Sequence, residues 1–284
     1  MTRAAQDRAA PTTAEWLSPA GEELFRCLDS RPGPMTGEES LAQARRVIRS
    51  IVASGHDRPS LVAQIASEVG AEIVEAVVPP GHDLNTVELA RRYQTSRTPV
   101  REALLLLEHE GLVDIPPRRR PRAHAHSIEE VREIYVTRTA IFELIAADVA
   151  SRATAEDIAV LDSIIERMKR AADQGDITAF TWLSVEFHDT DTRISRNQTA
   201  KRIHDSLLLR TLAIRRLSLS QPERMRKSLE DHIQLVKAYE THDSNLAGAI
   251  LRANHTAALR AIERHHEHGG SLVAPEVTAG STGQ

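Results

Sequence analysis

Apolar residues recur at every third or fourth position along most of this chain, which is the pattern of amphipathic helices. The spacing predicts one helix over 38–53 and a second one capped by Ser60 and continuing to Val77. In the second half, six helices follow one another, with capping residues or prolines at their starts. They are Ser127–Arg152, Thr154–Asp173, Asp176–Arg193, Gln198–Leu219, Pro222–Glu240 and Ser244–Glu267. Short links between them predict an antiparallel, all-α domain.

Residues 86–121 have a different pattern, which predicts a short helix, a tight turn, a longer helix, a strand and a basic hairpin. The short helix is expected to run from Thr86 to Tyr93 and to bury Val87, Leu89 and Ala90. A strand over 112–115 and a hairpin over 118–125 complete the unit. The fold class is therefore mostly α: a winged helix-turn-helix domain followed by a helical bundle.

The longer helix has well-defined predicted ends. Thr98 is expected to cap it through its hydroxyl, with Pro99 at the first helical position, where a missing N–H costs nothing. Gly111 is expected to close it in a left-handed conformation. A stripe of Val100, Ala103, Leu104 and Leu107 forms its buried face.

Polar residues cluster at the start of this helix and face outward. Ser96 and Thr98 offer short hydroxyls beside backbone N–H groups and a positive helix-dipole end, which suit phosphate. Arg97 and Arg101 can reach phosphates or the edge of guanine in a major groove. This arrangement is that of a helix-turn-helix recognition helix.

The stretch Leu89–Val113, with SRTPVREALLLLEHEGLV at its centre, closely resembles the GntR-type winged-helix regulators. The family usually has Gly-Val before the Ser-Arg pair, where this chain has Gln94 and Thr95. It also has a glycine in the wing, where this chain has a run of arginines and prolines that predicts a stiffer and more cationic wing. The DNA-binding residues expected from the cluster and the resemblance are Ser96, Arg97, Thr98, Pro99, Arg101, Arg118, Arg119, Arg120 and Arg122.

Residues 127–262 resemble the FCD effector domain of the FadR-like branch of that family. The resemblance is carried by Y-x-x-R-x-x-x-x-E at 135–143, by EFH at 186–188 with Asn197, and by EDH at 230–232 with Asp243. It implies a cavity inside the helical domain that binds a small organic acid. The expected effector-binding residues are Arg138, Glu143, Ser184, His188, His232 and Asn254.

Many domains of this kind hold a divalent metal through one aspartate and three histidines. Carried over by position, His188 and His232 are present, but Ser184 and Asn254 replace the other two ligands. A zinc or nickel ion would then need Asp148, Glu143 or His255 as additional ligands, since serine is a poor ligand for such ions. The interpretation favoured here is that the histidines hydrogen-bond the effector directly and that any metal is held weakly.

Arg138 stands out from the residues alone, because it lies among apolar neighbours on its predicted helix. A guanidinium there needs an anionic partner, which is either a bound carboxylate or Glu143. The sequence does not choose between the two.

The charge, the cysteine count and the hydropathy argue against a polycationic DNA-binding chain, a fold held by disulfides and a membrane-spanning protein. A net charge of −4 over 284 residues means that DNA binding must rest on a local basic patch. One cysteine allows no intrachain disulfide, and no apolar run of about 18 residues is present, so a cytoplasmic chain without membrane spans is expected. The expected divisions are a disordered tail over 1–37, an extra helix and linker over 38–59, the winged domain over 60–126, the effector domain over 127–268 and a disordered tail over 269–284.

These features together predict a ligand-responsive transcriptional regulator, a repressor that binds a near-palindromic operator as a homodimer and responds to a small carboxylate. A metal sensor is the alternative, and a metal-dependent hydrolase using the histidines is a weaker one. The sequence contains no HExxH, GxSxG or Walker motif to support an enzyme.

Overall fold

The computed structural model describes residues 24, 25, 28, 33–52, 60–221 and 223–272. Their helices and strands follow in the order α1 Gly37–Val52, α2 Leu61–Val74, α3 Thr86–Arg92, α4 Arg97–His109, β1 Val113–Asp114, β2 Arg122–Ala123, α5 Ile128–Arg152, α6 Ala155–Asp173, α7 Ile177–Ser195, α8 Gln198–Leu219, α9 Arg224–Glu240 and α10 Ser244–Glu267. The predicted mostly helical class is confirmed. No helix among these residues is long and apolar enough to cross a lipid bilayer.

The winged domain consists of α2, α3, α4 and an antiparallel hairpin in which Val113 pairs with Ala123. The predicted stripe of α4 is fully buried, since Val100, Ala103, Leu104 and Leu107 all have 0% exposure. Helix α4 packs with this face against α2 and α3. Its opposite face, with Arg97 and Arg101, is left exposed.

Helix α4 starts earlier than expected. Ser96 occupies the N-cap position without a side-chain cap hydrogen bond, and Arg97 is the first helical residue. The assignment of Thr98 as the cap and of Pro99 as the first residue was therefore wrong. Pro99 is still tolerated, because the N–H groups of the first turn have no partner within a helix. Those N–H groups remain available to a phosphate.

The end of α4 is as predicted. Gly111 has φ +74° and follows the C-cap residue Glu110. The N–H of Gly111 donates to the carbonyl of Glu108, and that of Leu112 donates to the carbonyl of Leu107, which is a Schellman motif. A β-carbon at Gly111 would also lie 2.6 Å from Nε of Arg210, so a larger residue would displace that side chain in addition to straining the backbone.

Two non-glycine residues of the winged domain adopt the left-handed conformation in tight turns. Gln94, in the turn between α3 and α4, has φ 49°, and Arg118, at the tip of the wing, has φ 61°. In the wing, Pro117 and Arg118 occupy the centre of a turn closed by a hydrogen bond from the N–H of Arg119 to the carbonyl of Pro116. Both turns thus keep the shape that a glycine would favour, at a cost in backbone strain.

Two apolar residues predicted to be buried are exposed. Helix α2 ends at Val74 because Ala76 adopts a left-handed conformation, and Val77 beyond it is 63% exposed. Val87 is 48% exposed, since it lies on the outer side of the first turn of α3.

The helical domain contains α5 to α10, and five of these six helices start with a side-chain cap at the expected position or one residue before it. Ser127, Thr154, Asp176, Asn197 and Asp243 accept hydrogen bonds from the first turns of α5, α6, α7, α8 and α10. Helix α9 is different, because Glu223 precedes it with φ 60° and no side-chain cap. The core contains Phe142, Phe180, Trp182, Phe187 and Tyr239, all nearly inaccessible to solvent.

Helix α1 joins the two domains. It packs against α2 through Ala44, Val47 and Ile48, and it also contacts α8. The hydroxyl of Ser40 donates to Glu75 at 2.8 Å and accepts from the indole N–H of Trp182 on α7 at 2.9 Å. The extra helix is therefore a structural bridge between the winged and helical domains.

The expected disordered tail over 1–37 is only partly described, and its described part is packed. Phe25 and Leu28 belong to the hydrophobic core, and the N–H of Met35 donates to the carboxylate of Asp176 at 2.6 Å. The assignment of a tail was wrong for these residues, because their apolar side chains find a surface on the folded domains. Residues 1–23, 26, 27, 29–32, 53–59, 222 and 273–284 lie outside the described residues, and so does the predicted helix start at Pro222.

Candidate DNA interface and effector cavity

A groove of about 420 Å³ lies between the recognition helix α4 and the wing. It is lined by five of the predicted DNA-binding arginines: Arg97, Arg101, Arg118, Arg119 and Arg120. All five are exposed. The groove therefore concentrates positive charge on one face of a chain whose net charge is −4.

The remaining predicted DNA-binding residues lie beside this groove. Ser96 and Thr98 are exposed at the start of α4, and Pro99 is partly exposed. Arg122 differs from the other wing arginines, because its Nε lies 3.2 Å from the carboxylate of Asp114 on the neighbouring strand. Its charge is thus partly compensated within the protein.

A second arginine cluster lies in a cavity inside the helical domain. Arg138 from α5, Arg215 from α8 and Arg224 from α9 line a space of about 30 Å³, together with Tyr135, Ser184, His188, Ser228, Asn254 and His255. The three arginines are 4%, 5% and 7% exposed. They are therefore removed from water almost completely.

None of the three guanidinium groups forms an ion pair with a carboxylate in the part of the chain that the structure describes. Arg215 donates to the hydroxyl of Ser184 at 2.7 Å, and Arg224 donates to the backbone and side-chain oxygens of Asn254 at 3.0 and 3.1 Å. Arg138 lies over the rings of Phe142 and Tyr135, with its guanidinium carbon 4.8 and 5.9 Å from their centroids. One Nη atom of Arg215 and one of Arg224 are buried without a hydrogen-bond partner.

Burial and mutual repulsion shift the pKa values of these arginines. Burial and the positive charge of Arg138 lower the pKa of Arg215 to about 9. Burial also lowers the pKa of Arg138 below its ordinary value, and it lowers the pKa of Arg224 although Asp231 opposes that shift. A bound anion would oppose these shifts, because an opposite charge favours the protonated guanidinium.

The two cavity histidines are neutral bases. Burial and the surrounding histidine and arginine side chains hold the pKa of His188 and of His255 well below its usual range. Nδ1 of His255 lies 3.3 Å from the hydroxyl of Thr139, which donates to a backbone carbonyl. Nδ1 therefore carries the proton, and the buried Nε2 of His255 is an acceptor without a partner.

His232 is placed close to the cavity but not in its wall. Its ring centroid lies 5.2 Å from that of His188 and 4.8 Å from that of Phe187. Its Nδ1 lies 2.6 Å from the carbonyl of Ser228, so Nδ1 donates and the buried Nε2 is left as an acceptor without a partner. Burial lowers the pKa of His232 to about 4.

Two of the predicted residues lie elsewhere. Glu143 forms a bidentate ion pair with Arg252 at the surface, with distances of 2.7 and 2.6 Å, so it is not the partner of Arg138. Asp148 contacts Arg152 and Asn197. The helix places both carboxylates on faces that point away from the arginine cluster.

The donor set in the cavity does not fit a divalent metal. The serine at the aspartate position is already hydrogen-bonded to a guanidinium, and Asn254 is engaged by Arg224 and by Asp231. Among the described residues, the histidine and carboxylate side chains around this cavity do not bring three ligand atoms within 4.8 Å of one another. Three buried positive charges also oppose the approach of a cation.

The sequence analysis missed Arg215 and Arg224, although a signal for both was present. Arg215 lies at helical spacing with Leu208, Leu212 and Leu219, so it occupies an apolar stripe of α8. Arg224 shares a face of α9 with Ser228 and His232. Because Arg215 and Arg216 are adjacent, the pair looks like part of an exposed helix face, and the position of Arg215 in the apolar stripe was overlooked.

Comparison with known proteins agrees with this arrangement. Residues 61–121 match the family described as bacterial regulatory proteins, gntR family, and residues 133–258 match the FCD domain. An uncharacterized HTH-type transcriptional regulator of the TAR-I ttuE-ttuC' intergenic region of Agrobacterium vitis is 33% identical over 117 residues, covering 40% of this chain and 68% of that protein. The gluconate operon transcriptional repressor of Bacillus licheniformis is 27% identical over 209 residues, covering 69% and 83%.

The solved structure of McbR/YncC from Escherichia coli has the same fold. It superposes with a TM-score of 0.63 at 21% identity, over 74% of this chain and 100% of that one. The matches to the gntR family and to the FCD domain, on a winged helix followed by six helices, identify a DNA-binding transcriptional regulator. The chain belongs to the GntR family and carries an FCD domain.

Proposed function

We propose that this regulator is a homodimeric repressor whose effector is a small hydroxy acid bound in the arginine cavity. The observation that carries the proposal is the set of three buried arginines that pair with no carboxylate among the described residues. Burying an unpaired charge is costly, whereas a carboxylate that accepts from two guanidiniums provides short, charge-assisted hydrogen bonds. The cavity is therefore built for an anion.

The acceptors in the cavity indicate a further group on the ligand. Nε2 of His255 is a buried lone-pair acceptor, and that of His232 lies just behind the wall. A carboxylate has no proton to offer them, but a hydroxyl group has. The relative from Bacillus licheniformis is named the gluconate operon transcriptional repressor, and gluconate is a hydroxy acid. This name supports a hydroxy acid as the class of effector.

The size of the cavity limits how the effector enters. About 30 Å³ holds little more than a water molecule. Arg138 is the side chain best able to move, because its contacts are with ring faces and not with hydrogen-bond acceptors. We infer that the effector replaces these ring contacts by drawing the guanidinium toward itself.

Helix α8 links the cavity to the winged domain. Arg215 faces the cavity, and the next residue, Arg216, forms a buried ion pair with Glu75 at the end of α2, with an N–O distance of 2.9 Å. Earlier on α8, Arg210 donates to the carbonyl of His109, the last residue of the recognition helix, at 3.5 Å. A shift of α8 on effector binding would change both contacts, and a few kcal/mol of differential binding suffices to change operator occupancy.

In this proposal the winged domain binds the operator and the helical domain forms the dimer. Two copies of α4 would enter successive major grooves of a near-palindromic site, with wing arginines along the phosphates. The exposed residues Val136, Ala140 and Leu144 form an apolar row on α5 that a second copy could cover. In this scheme residues 60–126 bind DNA, and residues 127–268 bind the effector and form the dimer.

The proposal is tested by selecting an operator with the purified protein and then measuring its release by fluorescence anisotropy. A panel of hydroxy acids, the matching acids without hydroxyls and the matching neutral sugars would be titrated. We expect release by hydroxy acids only, with the response lost in Arg215→Met and kept in Arg252→Met, which removes an exposed arginine of the same domain.

Release by the neutral sugars, or an unchanged response in Arg215→Met, would contradict the anion site. Arg138→Ala and His232→Ala give an independent check, because both should bind the operator normally while losing the response.

A further inference from the structure

A separate cluster of metal-binding side chains lies where the wing meets the effector domain. His124 directly follows β2, His126 lies in the link to α5, and Glu130 lies in the first turn of α5. Each offers one ligand atom, and these atoms lie within 4.8 Å of one another. Across residues 24, 25, 28, 33–52, 60–221 and 223–272, no other three histidine, cysteine or acidic side chains meet this condition.

The spacing of these atoms suits a first-row transition metal. Nε2 of His124 lies 2.8 Å from one carboxylate oxygen of Glu130, and Nδ1 of His126 lies 3.2 Å from the other. Ligand atoms around a tetrahedral zinc ion are roughly 3.3 Å apart, given bonds of about 2.0–2.1 Å. Small side-chain adjustments would therefore bring all three ligands to bonding distance.

An outer carboxylate holds His124 in the required orientation. Nδ1 of His124 donates to Asp114 on β1 at 2.7 Å, which leaves Nε2 directed toward Glu130. Metal-ligating histidines usually donate their second ring nitrogen to a carboxylate in this way. The arrangement is thus a two-histidine, one-carboxylate site with its supporting residue already in place.

We propose that His124, His126 and Glu130 bind a divalent transition-metal ion, with zinc as the expected ion. Two imidazoles and one carboxylate are typical zinc ligands, and three protein ligands leave a coordination position open. His124 and His126 also line a cavity of about 410 Å³ between the two domains, so the open position can face water. This site is distinct from the helical cavity, whose donors do not fit a metal.

The position of the site gives the ion a structural role. Asp114 and His124 belong to the wing hairpin, whereas Glu130 belongs to the first helix of the effector domain. A bound ion would therefore tie the wing to α5 across a link of three residues, 125–127. The competing interpretation is that no ion binds and that His124 forms ion pairs with Asp114 and Glu130.

Calorimetric titration of the tag-free full-length protein with zinc chloride separates the two interpretations. We expect one zinc ion per chain, a rise in the unfolding temperature with zinc, and a visible absorption spectrum when cobalt chloride replaces zinc. His126→Ala and Glu130→Gln should each weaken zinc binding at least tenfold and remove the cobalt spectrum. His109→Ala, at an exposed histidine of α4 outside the cluster, is the matched control and should leave both unchanged.

Two variants are used because one of them may disturb the link itself. Glu130→Gln keeps the length of the side chain and its ability to accept a hydrogen bond, so its fold can be checked by circular dichroism before zinc is added. Zinc binding that is absent, or that is retained in both variants and lost in His188→Ala, would overturn the proposal.

Discussion

The two arginine clusters of this protein use the same side chain under opposite conditions. In the DNA groove, Arg97, Arg101 and the wing arginines are exposed, so water and salt screen their charges until a phosphate arrives. In the helical cavity, Arg138, Arg215 and Arg224 are almost fully buried. None of them pairs with a carboxylate in the described part of the chain.

The two clusters differ in how their charges affect the stability of the free protein. An exposed arginine costs the fold little, and its binding energy comes mainly from released counterions and phosphate contacts. A buried, unpaired arginine destabilises the free protein and recovers that cost only when an anion binds. The first cluster suits a long polyanion, and the second suits one small anion in a fixed position. The following changes test this contrast, in order of expected effect.

The largest effect is expected from Arg216→Met. This change leaves Glu75 buried without its partner and should lower the free energy of unfolding by about 3–5 kcal/mol. Urea unfolding measures it. The double variant Glu75→Gln with Arg216→Met should recover much of the loss, since both charges are then removed. A loss below about 1 kcal/mol in the single variant would show that the pair is not buried in solution.

The neighbouring change, Arg215→Met, should have the opposite sign. It removes a buried charge that pairs with no carboxylate among the described residues, so the free energy of unfolding is expected to stay constant or to rise by about 1–4 kcal/mol. The same urea experiment compares the two variants directly. A clear destabilisation would mean that Arg215 has an anionic partner within the protein.

In the groove, Arg97→Ala and Arg101→Ala should each weaken specific operator binding by about 1–3 kcal/mol. Their free energies of unfolding should change by less than about 0.5 kcal/mol, because both side chains are exposed. Anisotropy with operator DNA at fixed salt gives the first quantity. Unchanged affinity in both variants would contradict the assignment of α4 as the recognition helix.

The wing is tested through salt dependence. Replacing Arg119 and Arg120 together by Ala should reduce the slope of log affinity against log salt by roughly two units, for all sequences alike. Arg122→Ala is the matched control and should change the slope less, because Asp114 already compensates that charge. A changed base preference at constant slope would show that the wing contacts bases.

The smallest effect concerns the turn before α4. Gln94 has φ 49°, a conformation that costs a non-glycine residue about 1–2 kcal/mol. Gln94→Gly should therefore raise the free energy of unfolding by roughly 0.5–1 kcal/mol, after the added flexibility of the unfolded chain is counted. A lower midpoint of thermal unfolding would show that the side chain contributes more than the strain costs.

The fold was predictable because its signals are local. Capping residues and apolar spacing placed α8 and α10 at their observed bounds, Gln198–Leu219 and Ser244–Glu267, and the recognition helix has a continuous motif. One exception, the early end of α2, arose where Ala76 takes a left-handed conformation, since propensity does not indicate this.

The cavity was less predictable because it depends on which helices meet. Arg138 was identified from its apolar neighbours on one helix, but its grouping with Arg215 and Arg224 requires three helices to converge. Glu143 was assigned to the same site by position along the motif, yet a pairing with Arg252 on α10 directs it to the surface. Long-range partners of this kind leave no trace in local spacing.

The adjacency of Arg215 and Arg216 on α8 matters for anyone who would adapt this protein as a biosensor. Consecutive residues on a helix point about 100° apart, so one rigid segment presents a side chain to each domain. A graft that exchanges α8 for that of a relative, in order to accept another metabolite, would also exchange the residue that contacts the winged domain. Ligand preference and basal occupancy of the promoter would then change together, and a designer would have to vary α5 or α9 to alter the first alone.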